Sequence, residues 1–240
     1  MTANLVVENL YIAHKGAALI NDVSLEIVPG QMSALIGPSG AGKSLSAKAA
    51  AGLYHPSFQI SGTLPKEEKV AYLPQDPGSA LDPIRTVAWH LEHANLSGTP
   101  LDKEKITSLL ARVGLHHPAE TLHKFPHQLS GGMARRVTIA QCLLNETPFF
   151  IIDEPTNGIE GTGITDLMRT FQELSTKGHG ILLITHNIPL ALKWCQRGTL
   201  MHKGRTLERL EGEDWKNGAF QSPTGISLMH ACRKFMGDPS

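Results

Sequence analysis

Only three cysteines occur in 240 residues, and Cys142, Cys195 and Cys232 stand far apart with no paired spacing. That pattern argues against a zinc or iron–sulfur framework and for a reduced, cytosolic setting. Charge of either sign is not in excess: 22 Lys and Arg are matched by 22 Asp and Glu. No net field favours nucleic acid or an anionic membrane surface, and no nucleic-acid partner is expected. No apolar run approaches the roughly 18 residues needed to span a bilayer, so the chain itself is not expected to cross one. Met1 to Leu10 mixes polar and charged residues and lacks the apolar segment of a leader. Internal repeats and low-complexity tracts are also missing. What is left is an ordinary globular composition, in a chain long enough for one large domain or one domain with an insertion.

The densest signal is Leu35 to Ser44, Leu-Ile-Gly-Pro-Ser-Gly-Ala-Gly-Lys-Ser. Gly37, Gly42, Lys43 and Ser44 fill the fixed slots of the Gly-x-x-x-x-Gly-Lys-Ser/Thr pattern, with Pro38, Ser39, Gly40 and Ala41 between them and Leu45 following. An apolar run, Met32 to Ile36, precedes it as a buried strand, and a helix-forming run, Lys43 to Leu53, follows. The glycines let backbone N–H groups turn inward, and the helix aims its positive N-terminus at bound phosphates. Lys43 then reaches the outer phosphates of ATP, and the Ser44 hydroxyl ligates Mg2+.

Further along, Leu5–Ile12 and Val23–Ile27 read as strands, and Val70–Leu73 as a short one. From about Gln75 to Asn145 the helical signal dominates: Thr86–Leu96, Asp102–Val113 and Gly132–Leu144. The stretch predicts a helical unit, about residues 76–145, inserted in an alternating β/α chain. Phe149–Ile152 and Ile181–Ile184 are continuous apolar runs, as in strands buried on both faces of a parallel sheet. An amphipathic helix around Ile164–Leu174 lies between them, and a hairpin flanks His202-Lys203-Gly204. Residues after about 211 form a short C-terminal extension in which Ile226–Phe235 is a candidate helix.

The run Phe149 to Ile152 delivers Asp153 and Glu154 to its C-terminal edge, where ligands bind in open α/β sheets. Asp153 is expected to hold the metal and Glu154 to polarise the water that attacks the terminal phosphate. Leu129-Ser130-Gly131-Gly132-Met133 opens a helix ahead of them, and Ser130, Gly131 and Gly132 make a second anion site at a helix N-terminus.

Together these segments make the chain resemble the ATP-binding-cassette (ABC) ATPases over about residues 4–210. The resemblance implies a P-loop NTPase, RecA-like α/β fold: a parallel-sheet core, an N-terminal antiparallel β subdomain and an inserted α-helical subdomain. It implies ATP and Mg2+ as cofactors. It makes Gln75 the glutamine that contacts the metal, beside Ser44 and Asp153, and His186 the histidine that holds the γ-phosphate and attacking water. It also implies that Ser130–Gly132 serve nucleotide held by a second ATPase subunit. A monomeric kinase reading leaves Leu129–Met133 and His186 without a reason.

Two positions depart from the family pattern. The adenine-stacking aromatic falls at His14, a smaller ring than tyrosine, and the loop that crosses to the partner reads Asn157-Gly158-Ile159-Glu160. Gln75-Asp76-Pro77-Gly78-Ser79-Ala80-Leu81-Asp82-Pro83 and Phe125-Pro126-His127-Gln128 preceding Leu129 resemble the dipeptide, oligopeptide and nickel importer ATPases, with the short C-terminus closer to the nickel branch. The partners so implied are a second, different ATPase chain, two transmembrane permease subunits and, indirectly, an extracytoplasmic solute-binding protein. The location implied is peripheral, on the cytoplasmic face of the inner membrane. A soluble assembly subunit, as in the phosphonate-degrading complex, shares every motif and stays open as an alternative.

Overall fold

The structure, a computed structural model, describes residues 3–66, 69–76, 80–95, 100–145, 147–157, 159 and 162–236. Pro77, Gly78, Ser79, Leu96, Gly158 and Glu160 therefore lie outside the described residues.

Three strands form the middle of the parallel part of the sheet: β3 (Met32–Ile36), β6 (Phe149–Asp153) and β7 (Gly180–Ile184). Every residue in them is buried, because both faces of the sheet are covered. Alternate side chains enter two separate cores. Ala34, Ile36, Phe150, Ile152, Ile181 and Leu183 pack on one side, and Leu35, Phe149, Ile151, Leu182 and Ile184 on the other.

Around them runs a nine-stranded sheet, completed by β1 (Leu5–His14), β2 (Ala17–Ile27), β4 (Gln59–Thr63), β5 (Val70–Leu73), β8 (Arg197–His202) and β9 (Arg205–Glu211). Its order is β4-β1-β2-β9-β8-β3-β7-β6-β5. Strands β8, β3, β7, β6 and β5 are mutually parallel, the parallel-sheet core that the resemblance implies. Strands β1, β2 and β4 pair antiparallel and form the N-terminal subdomain. The two halves join through β2 and β9 at one residue pair, Asp22 and Arg205.

The P-loop helix α1 (Lys43–Ala50) buries Ala47, Ala49 and Ala50 in the same core as β1 and β2. Between β5 and β6 come α2 (Val87–Ala94), α3 (Lys103–Arg112), the short α4 (Pro118–Thr121) and α5 (Gly131–Leu143), the helical unit read from the sequence. The starts of three of these helices follow their caps: Thr86 accepts from the Trp89 N–H, Asp102 from Glu104 and Ser130 from Met133. After β6 come α6 (Thr162–Thr176) and, beyond β7, α7 (Ile188–Trp194). The C-terminal extension holds α8 (Gly212–Lys216) and α9 (Pro223–Met236), the latter longer than the run read from the sequence. Trp215 of α8 is fully buried and donates its indole N–H to the Cys195 carbonyl at 2.9 Å. Among the described residues no helix is long and apolar enough to cross a membrane.

Candidate functional site

Strand β3 ends at the glycine-rich loop, and Gly37 must be glycine on two counts. Its φ is +149°, and a Cβ there would stand 2.1 Å from the Met201 carbonyl oxygen. Gly42 caps α1 in the left-handed conformation, φ +96°. Its missing side chain leaves room for Ile20 of β2, whose Cδ1 would lie 2.4 Å from a Cβ. Lys43 folds over this loop, donating from Nζ to the carbonyls of Gly37 at 2.8 Å and Pro38 at 3.0 Å. Burial lowers its pKa, and the charges of Glu154 and Asp153 partly offset that effect.

The next strand but one supplies the acids. Asp153, 1% exposed, closes β6 and accepts a hydrogen bond from Tyr72 Oη on β5 at 2.9 Å. The Tyr72 phenol is pushed well up by burial, with help from the Asp153 charge, so it remains a donor. The other Asp153 oxygen, Oδ1, is buried without a hydrogen-bond partner. A buried, unpaired carboxylate oxygen beside the glycine-rich loop fits a hard cation, to which Ser44 and Gln75 would add oxygen donors.

Glu154 adopts φ +48°, uncommon for a residue with a Cβ. Its N–H donates to Ile184 O at 2.9 Å, which keeps it tied to β7. Its carboxylate receives the His186 N–H at 3.0 Å and the Thr185 hydroxyl at 3.3 Å, and Nδ1 of His186 pairs with Oε1 at 2.8 Å. The carboxylate side chain is 8% exposed and the imidazole 68%, so His186 screens Glu154 while standing toward solvent.

Ser39 to Leu45, Gln75, Asp153, Glu154 and His186 share one cleft of about 640 Å³. Strand ends β3, β5, β6 and β7 meet there, which is why residues so distant in sequence converge. Gly37 and Pro38 form the loop's base, where Lys43 grips them. His14 stands outside the lining: it ends β1, and its ring meets Phe58 edge-on at 5.2 Å. Leu19 of β2 reaches the rim instead and is 42% exposed. Ser130 and Gly132 lie elsewhere, in a second cleft of about 440 Å³ with Met133, His116, Lys124 and Arg136. The two clefts share no lining residue.

Sequence reasoning missed Tyr72, Leu19 and Arg135. Arg135, on α5, is 4% exposed and donates to the carbonyls of Glu154, at 2.9 Å, and of Gln75. An arginine inside a helix carries no local mark that distinguishes a buried brace from a solvated charge. The Tyr72–Asp153 bond could have been suspected only from the pairing of β5 with β6.

The sequence profile of the ABC transporter family matches residues 20–157. The chain is 30% identical, over 235 residues, to the "Oligopeptide transport ATP-binding protein OppD" of Lactococcus lactis subsp. cremoris, covering 88% of this chain and 68% of that protein. It is 31% identical, over 233 residues, to the "Peptidoglycan transport ATP-binding protein YejF" of Agrobacterium fabrum, covering 85% of this chain but only 42% of the relative's length. The "Lipopolysaccharide export system ATP-binding protein LptB" of Acidithiobacillus ferridurans is 31% identical over 224 residues, 86% of this chain and 90% of its own. Among solved structures, an ATP-binding subunit of an ABC transporter superposes with a TM-score of 0.77 at 28% identity, covering 95% of this chain and 99% of the other. The dimeric bacterial ABC transporter cassette MJ0796 shares the fold, with a TM-score of 0.74 at 22% identity over 86% of this chain and 98% of its own.

Proposed function

This chain belongs to the ABC transporter family, and from that membership we propose that it is the subunit that binds and hydrolyses ATP to drive solute through separate permease subunits. The observation that carries the reading is the convergence of Lys43, Asp153, Glu154 and His186 on one cleft floored by the glycine-rich loop. In it, Lys43 exchanges the loop carbonyls for the outer phosphates of ATP. Ser44, Gln75 and Asp153 would hold Mg2+, and a bound ion would neutralise phosphate charge. Glu154 accepts a proton from the attacking water, and His186, hydrogen-bonded to it, orients the γ-phosphate side of the cleft.

The Gln75–Pro83 segment inclines the reading toward import, of small peptides or of nickel or another metal chelate. The oligopeptide relative supports the peptide class. The separate cleft around Ser130 supports a composite site completed by a second, related ATPase chain, and the dimeric cassette of the same fold is consistent with pairing. Such a subunit rides on the cytoplasmic face of its permease, with a solute-binding protein acting from the far side.

The test measures nucleotide binding and phosphate release by the chain together with its companion ATPase and permease. Glu154→Gln should keep ATP binding and slow turnover by ~10²–10⁴-fold, the usual worth of a positioned acid–base group. Lys43→Ala should lose binding. Near-normal turnover of Glu154→Gln in the assembled complex would refute its role. Association with membranes only when the permease is present separates a transport subunit from a soluble assembly.

A further inference from the structure

Arg135 is a buried cation that donates hydrogen bonds to backbone carbonyls. Its guanidinium spans two loops that the chain separates widely: one Nη donates to Glu154 O at 2.9 Å, the other to Gln75 O. The residue sits in the second turn of α5, the helix whose N-cap is Ser130. One side chain therefore ties the end of β5, the end of β6 and the helix that begins at Ser130. Its position is costly. Burial lowers its pKa, and the nearby charges of Asp76, Glu154 and Asp153 work against that and keep it a cation.

We propose that Arg135 is a positioning residue for hydrolysis, clamping the Glu154 backbone and the Gln75 turn to helix α5 so that the Glu154 carboxylate keeps its aim. The proposal rests on the ATPase reading above. Glu154 has φ +48°, a left-handed conformation that is unfavourable for a residue with a Cβ and needs outside support. Its N–H is taken by Ile184 O and its carboxylate by Thr185 and His186. The carbonyl is the remaining handle, and Arg135 holds it, with Asn157 N–H adding a longer bond at 3.3 Å. A fork of two donors aimed in fixed directions suits two carbonyls on different loops. A lysine, with a point charge, can serve either but not hold both in one plane.

The experiment compares Arg135→Gln, Arg135→Lys and Arg135→Met in the complex with the companion chain. ATP affinity should stay within about twofold of wild type, while turnover falls by ~10–10²-fold, the scale set by misplacing a reacting group by about 1 Å. Arg135→Lys should recover part of that loss. In a Glu154→Gln background, Arg135→Gln should add little, because both act on one carboxylate. Hydrogen exchange supplies a readout independent of turnover: peptides covering residues 72–76 and 152–157 should exchange faster together, with the rest of the sheet unchanged. A fall in affinity and rate in equal measure, full additivity with Glu154→Gln, or unchanged exchange in both peptides overturns the proposal. If Arg135→Met does not fold, Arg135→Gln and Arg135→Lys decide. If the wild-type complex itself does not hydrolyse ATP, the ATPase reading fails, and the exchange measurement alone still judges the clamp.

Discussion

Replacing Tyr72 with phenylalanine removes one oxygen and leaves the ring. That oxygen makes the only side-chain hydrogen bond to the Asp153 carboxylate among the described residues, at 2.9 Å. In the variant a carboxylate that is 1% exposed has neither oxygen satisfied. A hydrogen bond to a charged group is worth ~1.5–3 kcal/mol, and losing one partner of a buried pair sits toward the upper part of that range. For a chain of this size, ~2–4 °C of melting temperature corresponds to each kcal/mol, so Tyr72→Phe should melt ~3–12 °C below wild type in metal-free buffer. Added Mg2+ with nucleotide should narrow the gap, because a cation at Oδ1 supplies the charge compensation that the phenol gave. The assay is thermal unfolding followed by circular dichroism, with EDTA and with Mg2+ and nucleotide. Equal melting temperatures for variant and wild type in EDTA, or a gap that Mg2+ leaves untouched, would refute the reasoning that Tyr72 bears on the metal oxygen.

Gly198→Ala should cost ~1–3 kcal/mol in denaturant unfolding, the scale of overpacking, because its Cβ would stand 2.1 Å from the fully buried Trp215 ring; a shift of the midpoint below a tenth of a molar urea counts against this. Glu208 accepts the N–H groups of Gln221 at 2.7 Å and Ser222 at 2.8 Å ahead of α9. Burial raises its pKa, but these hydrogen bonds outweigh burial and the net shift is downward from 4.5. The ionised form is thus favoured by folding, so this stability is present above about pH 4.5 and is lost as pH falls through the lower folded-state value. Glu208→Gln should flatten the acid limb of a pH–stability curve followed by tryptophan fluorescence, and an identical limb would discount the contact. Ser130→Arg, which also removes the cap on Met133 N–H, should stop turnover in the assembled pair while the Lys43 cleft still binds nucleotide; normal turnover would dismiss the shared-site reading.

The parts legible in the sequence were those set by short-range rules. β3, β6 and β7 show as unbroken apolar runs because both faces are covered, and Thr86, Asp102 and Ser130 mark helix starts as capping chemistry requires. Strand β2 begins at Ala17, not Val23, because its first half pairs with β1 across the Lys15–Gly16 turn, although of Ala17–Asp22 only Ile20 is buried. β4 is a mostly exposed edge strand, and its pairing with β1 leaves no periodic trace in Gln59–Thr63. The candidate site was legible where a motif is contiguous, as in Gly37–Leu45 and Asp153–Glu154. It was not legible where the cause is a contact across the fold: Tyr72 on Asp153, Arg135 on Gln75 and Glu154, and Leu19 in the cleft lining.

The junction of β2 with β9 also has a mechanical meaning. The nine strands form a continuous ribbon, yet this seam holds by Asp22 and Arg205 and by the Thr206 hydroxyl, which accepts from Ser24 N–H at 3.1 Å and donates to Ser24 O at 3.0 Å. Asn21 and Asp22 N–H groups add a grip on Gly204 O. Each half is a plate joined to the other by this narrow ladder and, beneath it, by a shared core that holds Leu25 and Ile27 of β2 together with Leu35, Phe149 and Leu182. The cleft straddles that line, since Leu19 belongs to one plate and Ser39 to Leu45 border the other. That cleft is therefore walled by side chains from both sides of the seam.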